Sequence, residues 1–205
     1  MVAPDAWASD PRARGSPAQP AGPGPRQGPG GGLCATVAPV LTAAQTERLL
    51  ACARVLDAPA RIVMTGQVGD AARDAVTSGA GAGVEVLVVE PGEMDRVDGS
   101  IDMLFIGPAA RYGMALDTFR RWPGRVVPGG TLFVLGAFAS PSLTVALLRT
   151  IGSSRAWRYF DRDGALAEYV HAELSHGERI LDAIAQAAQM PALVRRMARR
   201  SPARS

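Results

Sequence analysis

The amino-acid sequence predicts an α/β domain, with a mostly parallel sheet, helices on both of its faces and an antiparallel hairpin at its end. Between residues 60 and 150, short strands that are apolar throughout alternate with amphipathic helical segments. This pattern is typical of a parallel sheet that is buried on both faces. Residues 156–174 contain two short extended segments around DRDG, a turn signal that joins antiparallel strands. The 205 residues suffice for one such domain and its tails.

The first helix is predicted from its start signal and its spacing. Thr42 can cap a helix in which apolar residues recur at helical spacing, at Leu49, Leu50, Ala53 and Leu56. We expect this helix to end near Ala58 and Pro59, since proline interrupts helical hydrogen bonding. The extended run RIVMTG follows, and DAARDAVTSGA then predicts a second helix.

The remaining elements continue this alternation. GVEVLVVEP and SIDMLFIGP are apolar strands, and the helix in RYGMALDTFRRWPGRV has an apolar face made of Tyr112, Ala115, Leu116, Phe119 and Trp122. GGTLFVLGAF is a further strand, and Ser140 with Pro141 marks the start of the helix in SPSLTVALLRTIG. A last helix begins at Ser175, after the hairpin. The predicted order of elements is Rossmann-like.

The two ends are predicted to be tails. Residues 1–32 are so rich in proline and glycine that they cannot bury enough apolar surface to fold, which places the domain at residues 33–190. Residues 191–205 form a basic tail with five arginines. Such a tail can bind acidic partners, nucleic acid or anionic lipid. Because no aromatic residues stand between the arginines, we expect a solvated end and no nucleic-acid site.

The composition excludes several classes of protein and site. Two cysteines and two histidines are too few for a disulfide framework or a histidine-rich metal site. The N-terminal sequence lacks a signal-peptide pattern, and no apolar run approaches the roughly 20 residues of a membrane span. We therefore expect a soluble cytoplasmic protein with no membrane partner.

Several segments together resemble the class I S-adenosylmethionine-dependent methyltransferases, from about Ala60 to Val170. The acidic end of GVEVLVVE, the strand IDMLFIG, the turn-strand VVPGGTLFVLG and the hairpin follow in that family's order. The stretch IDMLFIGPAARYGMALDTFRRWPGRVVPGG looks most like the small-molecule O-methyltransferase branch. The positions in step with that branch are Ile101, Asp102, Leu104, Phe105, Ile106, Tyr112, Asp117, Trp122, Gly129 and Gly130.

The resemblance implies an S-adenosylmethionine site at the carboxyl ends of the strands. Glycines in the turn TGQVG would let the backbone approach the ligand, and Glu90 would accept hydrogen bonds from the ribose hydroxyls. Arg111 could orient an acidic substrate, whereas Tyr112 could bind or deprotonate the acceptor or simply pack at the helix start. The predicted cofactor-binding residues are Thr65, Gly66, Gln67, Gly69, Glu90 and Gly107.

The sequence also departs from the family pattern. Members usually carry a carboxylate just before the first glycine, where this chain has Val63, Met64 and Thr65. Gly107 and Pro108 stand where metal-dependent members place an aspartate. We expect no divalent metal site, because a hard cation needs several oxygen ligands.

Four further residues have open roles. Asp70 or Asp74 could replace the missing contact to the ligand's amino group, or could act only on the start of their own helix. His171 and His176 follow the hairpin and are expected to be surface or partly packed residues and not general bases.

The predicted function is that of a metal-independent S-adenosylmethionine-dependent methyltransferase with a small-molecule acceptor. The alternative is a catalytically inactive methyltransferase-like binding or assembly protein, which the missing carboxylates favour and which Gly66, Gly69 and Glu90 oppose. A nicotinamide-dependent oxidoreductase fits less well, because TGQVGDAA lacks the three-glycine phosphate fingerprint. The sequence does not identify the acceptor, and it is compatible with a homo-oligomer.

Overall fold

The computed structural model describes residues 41–109 and 111–190. The predicted tails, residues 1–32 and 191–205, lie outside the described residues. The α-helices within these ranges are α1 Ala43–Arg54, α2 Asp70–Gly79, α3 Tyr112–Arg121, α4 Pro141–Thr150 and α5 His176–Ala187. The strands in the described part of the chain are β1 Ala60–Thr65, β2 Val84–Val89, β3 Ile101–Ile106, β4 Val126–Leu135, β5 Trp157–Asp163 and β6 Leu166–His171.

The predicted fold class is confirmed. The six strands form one sheet in the order β2-β1-β3-β4-β6-β5. The first four strands are parallel, and β6 runs antiparallel to both β4 and β5. Because β1 to β4 are parallel, their carboxyl ends meet at one edge of the sheet, where such folds bind ligands.

The start signals of the helices are confirmed in position, but they differ in chemistry. Thr42 and Gln45 form a capping box, in which each side chain bonds the other residue's backbone N–H. Ser140 precedes α4 as predicted, but its side chain makes no capping bond.

Two predicted boundaries were wrong. Helix α1 ends at Arg54, before the expected pair of Ala58 and Pro59. Strand β4 begins at Val126 and not at the glycine pair, because Val126 already pairs with Ile101 of β3. For β4, strand pairing set a boundary that local sequence does not contain.

The sheet separates two apolar layers, and alternate residues of each strand enter different layers. In β1, Ile62 and Met64 pack with Leu49 of α1 and Val76 of α2. Val63 instead belongs to the larger layer, which includes the apolar faces of α3 and α4. This period-two alternation of a strand covered on both faces explains why the strands are apolar throughout.

The connection from β2 to β3, residues 90–100, contains one short 3₁₀ turn and no α-helix. It is held by side chains that follow helix α3. Trp122 Nε1 donates to Pro91 O at 3.1 Å. Arg125 donates to Met94 O at 2.9 Å and to Gly99 O at 3.2 Å. These bonds fix the start of the connection next to the carboxyl end of β2.

Helix α5 packs on the sheet through polar residues. Asp182 and Gln186 are buried, while Ile180, Leu181 and Ile184 are exposed. Asp182 accepts hydrogen bonds from Tyr159 N and from Gln186 Nε2, both at 2.5 Å. Buried polar groups are normally paired in this way, because an unpaired one is costly.

Removing the Asp182 carboxylate is expected to destabilise the fold. Asp182→Ala leaves the Tyr159 N–H and the Gln186 amide without their acceptor, which should lower the free energy of unfolding by about 2 kcal/mol. The measurement is urea unfolding followed by circular dichroism. Asp98→Ala, at an exposed position, is the control, and equal losses in the two variants would contradict the role given to Asp182.

Candidate functional site

A cavity of about 450 Å³ opens at the carboxyl ends of β1, β2 and β3. This volume lies within the range of about 300–1,000 Å³ that is typical of small-molecule sites. Its walls come from the turn after β1, from the first turn of α2, from the ends of β2 and β3, and from α3. The lining residues are Gly66, Gln67, Val68, Arg73, Glu90, Pro91, Ile106, Gly107, Pro108, Ala109, Met114 and Thr118.

One side of the cavity is formed by two turns that pack backbone against backbone. Gly107 N donates to Thr65 O at 2.7 Å. A Cβ on Gly107 would lie 2.6 Å from Gln67 O, and one on Gly66 would lie 3.3 Å from the Gly107 backbone. Gly66 also has a φ of +85°, which side chains disfavour. Both glycines are therefore required by geometry.

Gly69 is placed differently. It precedes α2 with a φ of −67°, and a Cβ there would meet nothing within 4 Å. The turn therefore does not require glycine at this position. Gly69 also does not line the cavity.

Glu90 follows β2 directly and lies at the rim of the cavity with an exposed side chain. Its backbone is held in a turn, because Glu90 N donates to Glu93 Oε2 at 3.2 Å and Glu93 N donates to Glu90 O at 2.9 Å. Glu93 pairs in turn with Arg96 at 2.6 Å. The turn thus fixes the backbone of Glu90 and leaves its carboxylate directed to solvent and the cavity.

Arg73 and Glu90 are the charged residues among the described residues that line the cavity. Arg73 lies in the first turn of α2, and its side chain is 46% exposed. Its ion-pair partner is Asp70, at 3.8 Å, whose side chain is 90% exposed. A pair this long and this exposed contributes little, so the guanidinium is available to a ligand.

The opposite wall is mainly apolar. Ile106, Pro108 and Ala109 contribute the end of β3 and the segment after it, and Met114 projects from α3. Thr118 adds a hydroxyl, but that hydroxyl already donates to Met114 O at 2.8 Å. The cavity lining therefore combines apolar residues on the side of β3 and α3 with two charged groups, Arg73 from α2 and Glu90 after β2.

The structure brings together four of the six residues predicted to bind the cofactor: Gly66, Gln67, Glu90 and Gly107 line one cavity. Thr65 is fully buried beneath the turn, and its hydroxyl has no hydrogen-bond partner among the described residues. Asp70 begins α2 and is not in the lining, and neither is Asp74. Sequence reasoning missed Arg73, although its position one turn after the glycines could have indicated it.

The two predicted substrate residues lie outside the cavity lining. Arg111 is the exposed residue that precedes α3. Tyr112 is partly buried and packs against the larger apolar layer, which is the structural role that the sequence left open for it.

The histidines lie away from the cavity. His171 Nδ1 is 2.7 Å from Val126 O, and its ring stacks on Trp157 with centroids 5.0 Å apart. Since Val126 begins β4, this contact lies at the amino edge of the parallel strands. His176 is exposed at the start of α5. Within residues 41–109 and 111–190, no group of three or more histidine, cysteine or acidic residues is placed to hold a metal ion.

Comparison with known proteins identifies the fold. No protein-family model matches the sequence, and no curated protein matches it. The cofactor-bound protein Rv0187 from MTB is 17% identical, with a TM-score of 0.51 over 67% of this chain and 85% of its own. A protein from Klebsiella pneumoniae, described as a candidate O-methyltransferase, is 12% identical, with a TM-score of 0.50 over 64% and 81%.

A third solved structure is phosphoethanolamine N-methyltransferase 2 from Haemonchus contortus in complex with S-adenosyl-L-methionine. It is 12% identical, with a TM-score of 0.50 over 65% of this chain and 38% of its own. The chain therefore shares the Rossmann-like fold of these structures, methyltransferases among them. Identities this low show the fold alone. No helix in the described part of the chain is long and apolar enough to cross a membrane.

The two glycines of the β1 turn are expected to respond differently to alanine. Gly66→Ala places a Cβ at a left-handed φ against the Gly107 backbone, and it should lower the free energy of unfolding by about 1–2 kcal/mol. Gly69→Ala should change it by less than about 0.5 kcal/mol. Thermal and urea unfolding of the two variants measure this, and equal effects would contradict the turn geometry.

Proposed function

We propose that the cavity binds S-adenosylmethionine and that the protein transfers the methyl group to a small-molecule oxygen or nitrogen nucleophile without a metal ion. The observation that carries this proposal is the meeting of Gly66, Gly107 and Glu90 around one cavity at the carboxyl edge of the sheet. That edge is where open α/β sheets bind nucleotide-like ligands.

The donor set of the cavity fits the groups of this cofactor. An adenine ring would lie on the apolar wall of Ile106 and Met114, and the ribose hydroxyls would donate to the Glu90 carboxylate. The charged amino-acid tail would lie toward the β1 turn and Arg73. A cavity of about 450 Å³ is large enough for a ligand of this class.

The bound cofactor would supply a sulfonium methyl group that already carries its leaving group. The protein's task is then to bind and orient. The paired glycine turns would give the ligand a backbone surface, and the Glu90 carboxylate, on a backbone held by the turn with Glu93, would hold the ribose. Arg111, exposed at the start of α3, is proposed to orient an acidic acceptor.

A second candidate function, a catalytically inactive binding or assembly protein, is favoured by two observations. The described lining contains no histidine, cysteine or tyrosine, and its carboxylate is the one assigned to ribose, so no general base faces the cavity from it. Helix α5 also exposes Ile180, Leu181 and Ile184, a surface suited to contact with another protein. Cofactor binding without methyl transfer to any acceptor would support this second function.

Neutralising Glu90 is expected to weaken cofactor binding. Glu90→Gln replaces charge-assisted hydrogen bonds to ribose with neutral ones, and the Kd for S-adenosylhomocysteine should rise about tenfold to a hundredfold. Isothermal titration calorimetry measures this.

Glu85→Gln is the matched control, because Glu85 lies on β2, the strand that Glu90 follows, and it pairs with Arg61 and does not line the cavity. It should leave the Kd unchanged. If the wild-type protein shows no heat of binding at millimolar ligand, the proposed function is wrong.

A further inference from the structure

We propose that Arg73 binds the carboxylate of the cofactor's amino-acid tail, so that this site recognises the tail through its negative group and not through its ammonium group. The inference rests on the proposed function and adds a specificity-determining residue to it. It follows from the placement of charge around the cavity.

The contact of the ribose with Glu90 sets the direction of the rest of the ligand. Adenine and the amino-acid tail are attached at different ends of the ribose, so a ribose held at Glu90 sends them toward different walls. The apolar wall, with Ile106 and Met114, suits the base. The tail is left with the wall that contains the β1 turn and Arg73.

The guanidinium of Arg73 is available to a ligand. Asp70 approaches Arg73 at 3.8 Å, which is too long for a good hydrogen bond. Both side chains are well exposed, at 46% for Arg73 and 90% for Asp70, so their attraction is strongly screened. Arg73 can therefore turn its planar donors to a carboxylate, a partner that guanidinium binds in a bidentate manner.

The ammonium group of the tail has no carboxylate partner near the β1 turn in the described lining. The residues before the β1 turn, Val63, Met64 and Thr65, are uncharged and buried. Asp70 and Asp74 do not line the cavity. The described lining thus offers the tail one cation and, apart from the carboxylate assigned to ribose, no anion. The charged contact that the lining offers the tail is therefore with its carboxylate, whereas its ammonium group meets only uncharged acceptors, such as the Gln67 amide.

The test compares two ligands that share the adenosyl group. S-adenosylhomocysteine carries the amino-acid tail, whereas 5′-methylthioadenosine has the same thioether and no amino acid. Arg73→Gln should raise the Kd of the first about tenfold or more and leave the Kd of the second within about twofold. Arg73→Lys should raise the Kd of S-adenosylhomocysteine by a smaller factor, because lysine keeps the positive charge but lacks the paired planar donors of the guanidinium.

Two variants serve as controls in the same calorimetric titrations. Glu90→Gln should weaken both ligands, because both contain the ribose. Asp70→Asn should weaken neither, because Asp70 competes for Arg73 and does not line the cavity. A deaminated analogue of S-adenosylhomocysteine that keeps the carboxylate should bind wild-type protein about as tightly as the parent ligand.

The outcomes separate the two proposals. Equal losses for both ligands in Arg73→Gln, or no loss for either, would overturn the assignment of Arg73 while the cofactor site stands. Strong loss of affinity on deamination would also overturn it. Failure of the wild-type protein to bind either ligand would overturn the proposed function, and the role of Arg73 with it.

Discussion

The candidate site depends on the close approach of two backbone turns at the ends of neighbouring strands. Gly107 N–H reaches Thr65 O at 2.7 Å, and a Cβ on Gly107 would lie 2.6 Å from Gln67 O. Any side chain there would push the ends of β1 and β3 apart, and the cavity would lose its floor. Because glycine has no side chain, the backbones of the two turns can meet and form a surface that a ligand can contact.

The side of the cavity next to Glu90 is held by hydrogen bonds between residues that are far apart in sequence. Trp122 and Arg125 follow α3 and bond the backbone of the connection after β2. Glu90 lies at the start of that connection, so its position depends on its own turn with Glu93 and on side chains that are more than thirty positions away in sequence. The floor of the cavity is therefore made by local turn geometry, whereas its rim is held in part by tertiary hydrogen bonds. A mutation can therefore disturb one of them and leave the other intact.

The strands, the hairpin and the glycine turn could be predicted because each has a local pattern. Apolar runs indicate buried strands, and Gly66 and Glu90 stand at strand ends, which parallel topology brings to one edge. The end of α1 and the start of β4 could not be predicted, because pairing of Val126 with Ile101 decides the latter. The polar packing of Asp182 and the cavity position of Arg73 depend on tertiary neighbours that helical periodicity does not contain.

The place of β2 in the sheet order has a dynamic consequence. β2 pairs with β1 alone, so within the described residues one of its sides carries no backbone ladder. Edge strands open locally at a lower cost than strands paired on both sides. Glu90 follows this strand directly, so a ligand that binds its carboxylate would restrain an edge strand of the sheet, which opens more readily than the central strands. Amide hydrogen exchange would slow most in β2, while β3 and β4 would change little.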